Sequence, residues 1–342
     1  MPTESAARFR PRAALAMSSE AARSVLTPTA RAALAEHCAL TEPPVLDEFG
    51  SERARAALVE AELLVTGWGC PPITAEVLAT APRLRALVHT AGSVRGHVTE
   101  ACWERGIQVS SAARANALPV AEYTVAMILL SGKHVLERAR RLRTERVPAS
   151  PFDVPDSVGN YQRTIGILSA SLIGRRVIEL LRPYDLRLLL HDPYVSAAEA
   201  SELGARAVSS RELFAQSDTV SVHTPLLPET RGLVDRELLD AMPRGATLIN
   251  TARGAVVDQD ALTDAVRQRR IRAVLDVTDP DPLPTDHPLW DCEDALITPH
   301  LAGSQGNEWQ RLAESAVAEV GRWVAGESFA HPVRRDQLAA QA

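Results

Sequence analysis

The chain has 342 residues, 46% of them hydrophobic, and a formal net charge of -6. Single cores stop growing near ~250–300 residues, so this length implies two domains. The acidic balance, with Arg as every basic residue but Lys133, leaves no footprint for nucleic acid or an anionic membrane surface.

Residues 1–10 read as a loose tail without the apolar run of a signal peptide, and no later segment approaches the ~20 apolar residues of a membrane span. From about residue 57, AALVEAELLVTGW, LRALVHTAG and GIQVSSAA read as short strands separated by helix-like stretches such as TAEVLATAP. The segment VAEYTVAMILLSGKHVLERARRLR (120–143) predicts one long helix ending in Arg, a natural hinge between domains. RVPASPFDVPDSVGN after it reads as a surface loop.

A more regular series starts at Thr164, with TIGIL, LRLLLHDPY, TVSVHTP, ATLINTA and IRAVLDV as strands. Between them SLIGRRVIELLRPY, SRELFAQ, RELLDAM and DALTDAVRQ are amphipathic helices, and 307–327 is a final helix placed to pack back on the first domain. Strict strand–helix alternation means right-handed crossovers and a doubly wound, mostly parallel α/β sheet covered on both faces. Cys38, Cys70, Cys102 and Cys292 form no C-x-x-C pair, so neither a metal site nor a disulfide framework is expected and a cytoplasmic setting follows.

In such a sheet the first strand–helix turn receives a dinucleotide pyrophosphate. The fingerprint places Gly at 169, 171 and 174; this chain has Ser169, Ser171 and Gly174. Asp192, at the end of the next strand, suits the adenosine ribose hydroxyls and repels a 2′-phosphate, favouring NAD; the competing reading is a turn-forming Asp before Pro193.

Three later segments, INTARGAVVD (249–258), LDVTDPDPLP (275–284) and ITPHLAGS (297–304), each follow or end a strand and fall at the same sheet edge. In this order and spacing, and with HTPLLPETRGLV (223–234), HTAGS (89–93) and ALPVAEY (117–123), they resemble the D-isomer-specific 2-hydroxyacid dehydrogenases, which include phosphoglycerate, glycerate and D-lactate dehydrogenases. The resemblance implies two Rossmann-like domains. Residues 120–304 would bind the dinucleotide, inserted into a substrate domain of 11–119 plus 305–335.

It also implies roles. Arg253 would hold the substrate carboxylate as a planar fork, and His300 would be the acid/base. An acidic partner fixes the tautomer of that histidine; the family has Glu in a Glu-Pro pair, and the aligned residue here is Asp281 before Pro282, with Asp279 as the alternative. Ser171, Leu172, Ile173, Asp192, His223, Thr224, Pro225, Thr230, Thr251, Ala252, Asp276 and Gly303 would contact NAD. Gly92, Ser93 and Val94 would face the substrate carboxylate; Trp68 would wall the site or pack in the core. Arg95 and His97 depart from the family pattern, either to select an anionic tail or simply as surface residues. The expected protein is an NAD-dependent oxidoreductase of small 2-hydroxy or 2-keto acids and a homodimer. The alternative is an NAD-sensing, non-catalytic protein of the same fold, as in the C-terminal-binding-protein corepressors.

Overall fold

A computed structural model of the chain describes residues 10–147, 150, 152, 154–155 and 158–337. The expected tail over 1–9 and part of the expected loop over 146–160 lie outside them, whereas Arg10 is tied down by donating to the carbonyls of Ala35 and Cys38. The described residues divide into two compact units, one running to Asn116 and resuming at Ser304, the other Ala117–Gly303.

In the first unit β1 (Arg12–Ala16), β2 (Ala39–Leu46), β3 (Leu63–Thr66), β4 (Ala86–His89) and β5 (Gln108–Ser111) form a parallel sheet of order β2-β1-β3-β4-β5. Side chains alternate between two cores: Ala14, Leu64, Leu87 and Val109 face one cluster, Leu15, Leu63, Val65 and Val88 the other. The helices are α1 (Ser19–Ser24), α2 (Pro28–His37), α3 (Glu52–Glu60), α4 (Ala75–Thr80) and α5 (Glu100–Glu104). The C-terminal helix, Trp309–Val324, lays Leu312, Ala316 and Val320 on the second cluster.

One strand assignment needs correction. The segment AALVEAELLVTGW is half helix, because Ser51 caps α3 by accepting from Ala54 N, and Ala54, Ala57 and Leu58 bury one helical face. Only Leu63–Thr66 is strand.

In the second unit β6 (Thr164–Leu168), β7 (Arg187–His191), β8 (Arg206–Ala207), β9 (Thr219–Val222), β10 (Thr247–Asn250), β11 (Arg272–Leu275) and β12 (Ala295–Ile297) pair in parallel in the order β12-β11-β10-β9-β6-β7-β8. The order reverses between β6 and β9, which makes the crevice outside their carboxyl ends the topological switch point. The helices are α6 (Ala113–Gly132, whose first turn precedes the division), α7 (Val135–Glu145), α8 (Leu172–Leu181), α9 (Ala197–Leu203), α10 (Ser210–Gln216), α11 (Arg236–Ala241) and α12 (Gln259–Arg267).

The single helix expected over 120–143 is two. The Gly132 carbonyl accepts from Gly159 N at 2.7 Å instead of continuing the helical ladder, and His134 turns left-handed at φ 51°. Asn160 packs so closely that a Cβ on Gly132 would stand 1.9 Å from its Oδ1. Helix α6 also overturns the expectation that no segment has the length and apolarity of a membrane span: by those two measures its 20 residues do. Its Ala121, Val125 and Ile128 pack with Ile165, Val177 and Ile249 in the core, which accounts for the composition.

Candidate active site

The chain after each strand end supplies the site. Beyond β6, Ser169 sits at φ 81°, a left-handed conformation that glycine adopts freely and serine only at a cost. Asp192 offsets that cost: its Oδ2 accepts from Ala170 N at 2.8 Å and from Ser169 Oγ at 3.1 Å, and its Oδ1 accepts from Tyr194 N. Asp192 thus shapes the Ser169–Gly174 turn as well as the turn that follows it at Pro193–Tyr194. Ser171 caps α8, its Oγ accepting from Gly174 N at 3.4 Å, with Leu172 and Ile173 in the first turn. Gly174 is obligatory, since a Cβ there would lie 2.1 Å from the Ser169 carbonyl oxygen.

Beyond β9, His223 is fully enclosed and its Nε2 lies 2.9 Å from Ser221 Oγ; burial pushes its pKa down to about 3, so the ring is neutral. Its Nδ1 and the Thr224 hydroxyl oxygen are buried with no hydrogen-bond partner among the described residues. Buried polar atoms are rarely left so, and a ligand's polar groups beside the turn at Ser169–Gly174 answer the need. Thr230 behaves differently. Its hydroxyl donates to Pro225 O at 2.6 Å and accepts from Leu227 N at 2.7 Å, so it folds the 225–231 loop upon itself.

Beyond β10, Asn250 clasps the turn by accepting from Ala252 N and donating to Arg253 O, both at 3.0 Å. Thr251 Oγ1 lies 3.1 Å from Thr124 Oγ1 on α6, and Arg253 Nη1 donates to Ala252 O. A Cβ on Gly254 would stand 1.9 Å from Thr278 O, so the arginine turn packs directly on the Thr278–Asp279 backbone.

Beyond β11, the buried carboxylate of Asp276 accepts from Leu301 N at 2.8 Å, Ala302 N at 2.9 Å and Thr298 Oγ1 at 2.6 Å. An ionised carboxylate only accepts, so Thr298 donates its proton there and must accept from Tyr123 OH, 2.9 Å away. Tyr123 on α6, Thr298 and Asp276 therefore form a directed relay that fixes the 298–302 loop, with Gly303 just beyond. Reading the sequence did not find this relay. The quoted segments ALPVAEY and ITPHLAGS contain both hydroxyls, but their pairing spans 175 residues.

That loop presents His300, whose Nδ1 lies 3.2 Å from Asp281 Oδ2, both side chains about half exposed. Asp279, the alternative partner, is engaged elsewhere: its carboxylate pairs with Arg231 at 3.1 Å and its N–H donates to Gln259. A carboxylate only accepts, so this contact pairs with the tautomer that carries its proton on His300 Nδ1 and leaves Nε2 as the other ring nitrogen.

The remaining predicted residues lie in the first unit, after β3 and β4. Trp68 is 43% exposed and not core; Ser93 is exposed, Gly92 partly so, and Val94 is buried. Arg95 is on the surface, but His97 is 4% exposed, which corrects its expected surface position: its ring lies against Thr66.

Residues 125–302 match the sequence profile described as D-isomer specific 2-hydroxyacid dehydrogenase, NAD binding domain, which covers over half of the chain. The chain belongs to that family. Among its relatives, D-3-phosphoglycerate dehydrogenase of Mycobacterium leprae is 33% identical over 290 residues, 84% of this chain but 54% of that protein, so the chain spans about half the length of that relative. Glyoxylate reductase of Korarchaeum cryptofilum is 32% identical over 264 residues, 75% of this chain and 78% of that one. The fold of a phosphoglycerate oxidoreductase from Rhizobium etli superposes with a TM-score of 0.81 at 23% identity, covering 96% of this chain and all of the other. Membership makes NAD the cofactor of the 2-hydroxyacid dehydrogenase domain here, and the orphaned His223 and Thr224 atoms and the crowded Gly174 fit it.

Proposed function

We propose that the chain is an NAD-dependent oxidoreductase acting at C2 of a small D-2-hydroxy acid or 2-keto acid. The Asp281–His300 pair carries this reading, because it orients an imidazole with one free nitrogen at the sheet edge where the nucleotide turn lies. NAD held there would supply the acceptor or donor of the C2 hydride. His300 Nε2 takes the hydroxyl proton on oxidation and gives it back on reduction, while Asp281 stabilises the imidazolium formed. Arg253 holds the carboxylate and the carbonyl oxygen, and the amides of Gly92, Ser93 and Val94 are the first unit's donors for a substrate carboxylate. Asp276 anchors the His300 loop and would accept from the carboxamide, Thr251 and Ala252 would hold the ring, and the loop of His223, Thr224, Pro225 and Thr230 would take its ribose.

On this reading residues 120–304 are the dinucleotide domain and 11–119 with 305–335 the substrate domain. The chain works as a cytoplasmic homodimer. Exposed Val135, Leu136 and Leu142 along α7 support self-association, and four free cysteines support a reducing compartment.

The experiment is NADH oxidation across a panel of 2-keto acids, glyoxylate, pyruvate and phosphorylated acids included, with NADH binding measured alongside. Turnover of one of them supports the enzyme. Tight NADH binding that changes the oligomeric state, with no acid reduced, would replace it by a nucleotide-sensing protein of the same fold.

A further inference from the structure

The carboxyl ends of β3 and β4 hold a buried cluster that the chemistry above leaves unused. Thr66 closes β3, His89 closes β4, and His97 follows the next turn; they are 0%, 3% and 4% exposed. Thr66 Oγ1 lies 2.9 Å from His89 Nδ1 and 3.1 Å from His97 Nε2, with the two rings 4.5 Å apart. A hydroxyl has one proton, so it donates to one imidazole and accepts N–H from the other. Burial, and for His89 also the neighbouring His97, pushes the rings down to about 3 and about 4, so both are neutral. Among the described residues no carboxylate bears on either ring's titration.

These three residues close two loops on one another. The Thr66 carbonyl accepts from Thr90 N at 2.7 Å and Thr90 Oγ1 at 3.0 Å, holding the start of the β3 loop against the start of the β4 loop. Their far ends meet too, since Ile73 N donates to His97 O at 2.8 Å and His97 N donates to Val94 O at 3.2 Å. Trp68 lies on the first loop, and Gly92, Ser93 and Val94 on the second. The Thr66 hydroxyl is where both imidazoles meet, so removing it frees the His97 end of the 91–97 segment while the Thr66 carbonyl still holds Thr90.

We propose that Thr66, His89 and His97 are positioning residues that fix the Gly92, Ser93 and Val94 amides for a substrate carboxylate, a role that rests on the function proposed above. Neutral rings suit it, because they brace the loop without placing a cation that would bind the carboxylate off-centre.

The test uses full-length Thr66→Val, which keeps the shape and removes the hydroxyl, and Thr66→Ser, which retains it. If Thr66→Val does not fold, His97→Gln takes its place. The expected result is a KM for the keto acid raised about tenfold, the scale of one lost buried hydrogen bond, with kcat and the NADH Kd within about twofold. Amide hydrogen exchange at 92–94 should quicken, and Thr66→Ser should restore both. An unchanged KM with unchanged exchange overturns the proposal, as does a joint loss of kcat, KM and NADH affinity, the mark of a general folding role. If the wild-type chain reduces no keto acid, the enzyme reading fails, and exchange alone judges the brace: quickening reversed in Thr66→Ser supports it, and no change overturns it.

Discussion

Asp281 Oδ2 meets His300 Nδ1 at 3.2 Å, although aspartate is one methylene shorter than the glutamate of the family pattern. Asparagine at 281 presents an amide that can donate where His300 needs an acceptor, which favours the wrong tautomer. Asp281→Asn should therefore lower kcat/KM by about 10²–10⁴-fold with NADH binding intact, and Asp281→Glu should keep most of the activity. A pH–rate profile of Asp281→Asn that matches the wild type would remove the pair from the mechanism.

His300→Ala removes the acid/base and should cost about 10²–10⁴-fold in kcat. Arg253→Ala should appear in KM and kcat together, because the guanidinium is asked to hold the acid and to polarise its carbonyl. Fluorescence titration should give both variants wild-type NADH affinity.

Asp276 anchors the loop that presents His300 through three accepted hydrogen bonds. Asp276→Asn replaces one acceptor by a donor that faces either the Ala302 N–H or the Leu301 N–H together with the Thr298 hydroxyl. It should destabilise the protein by about 1–3 kcal/mol and lower kcat even where the fold survives. Thr298→Val breaks the same relay one step out and should show a smaller loss of both, read by urea unfolding and steady-state rates.

Acid should destabilise the fold through its buried imidazoles. His89, His97 and His223 titrate at about 3, about 4 and about 3 when folded, against 6.5 for the exposed side chain. Below 6.5 the unfolded chain binds protons that the folded one refuses. The stability these groups contribute is thus complete above pH 6.5 and declines as the pH falls toward 4, by at most ~1.4 kcal/mol per pH unit for each histidine. Urea midpoints between pH 7 and pH 4.5 should fall accordingly, and His97→Asn should flatten the slope.

The second unit was legible because its strands are runs of Ile, Leu and Val separated by amphipathic helices, and its motifs stand at strand ends where side-chain identity is set by chemistry. The first unit was less so. β1 reads RAALA, a string of good helix formers that is a strand only because tertiary burial on both faces overrides propensity. The break after Gly132 has only that glycine as a local signal, and the Gly159 N–H that takes its carbonyl comes from a distant segment. The contact of Asp281 with His300 was expected from the motifs, whereas the Tyr123–Thr298–Asp276 relay and the burial of His97 depend on contacts between distant segments.

The bond from Ser169 Oγ to Asp192 has a consequence for redesign. In the usual dinucleotide fingerprint glycines hold the turn in shape without help from the acidic residue. Here the acid proposed to select the cofactor also restrains a left-handed serine, so exchanging it first releases the turn. A route toward NADP must begin with Ser169→Gly and only then alter Asp192; taken in the reverse order, the intermediate variant should lose affinity for both cofactors.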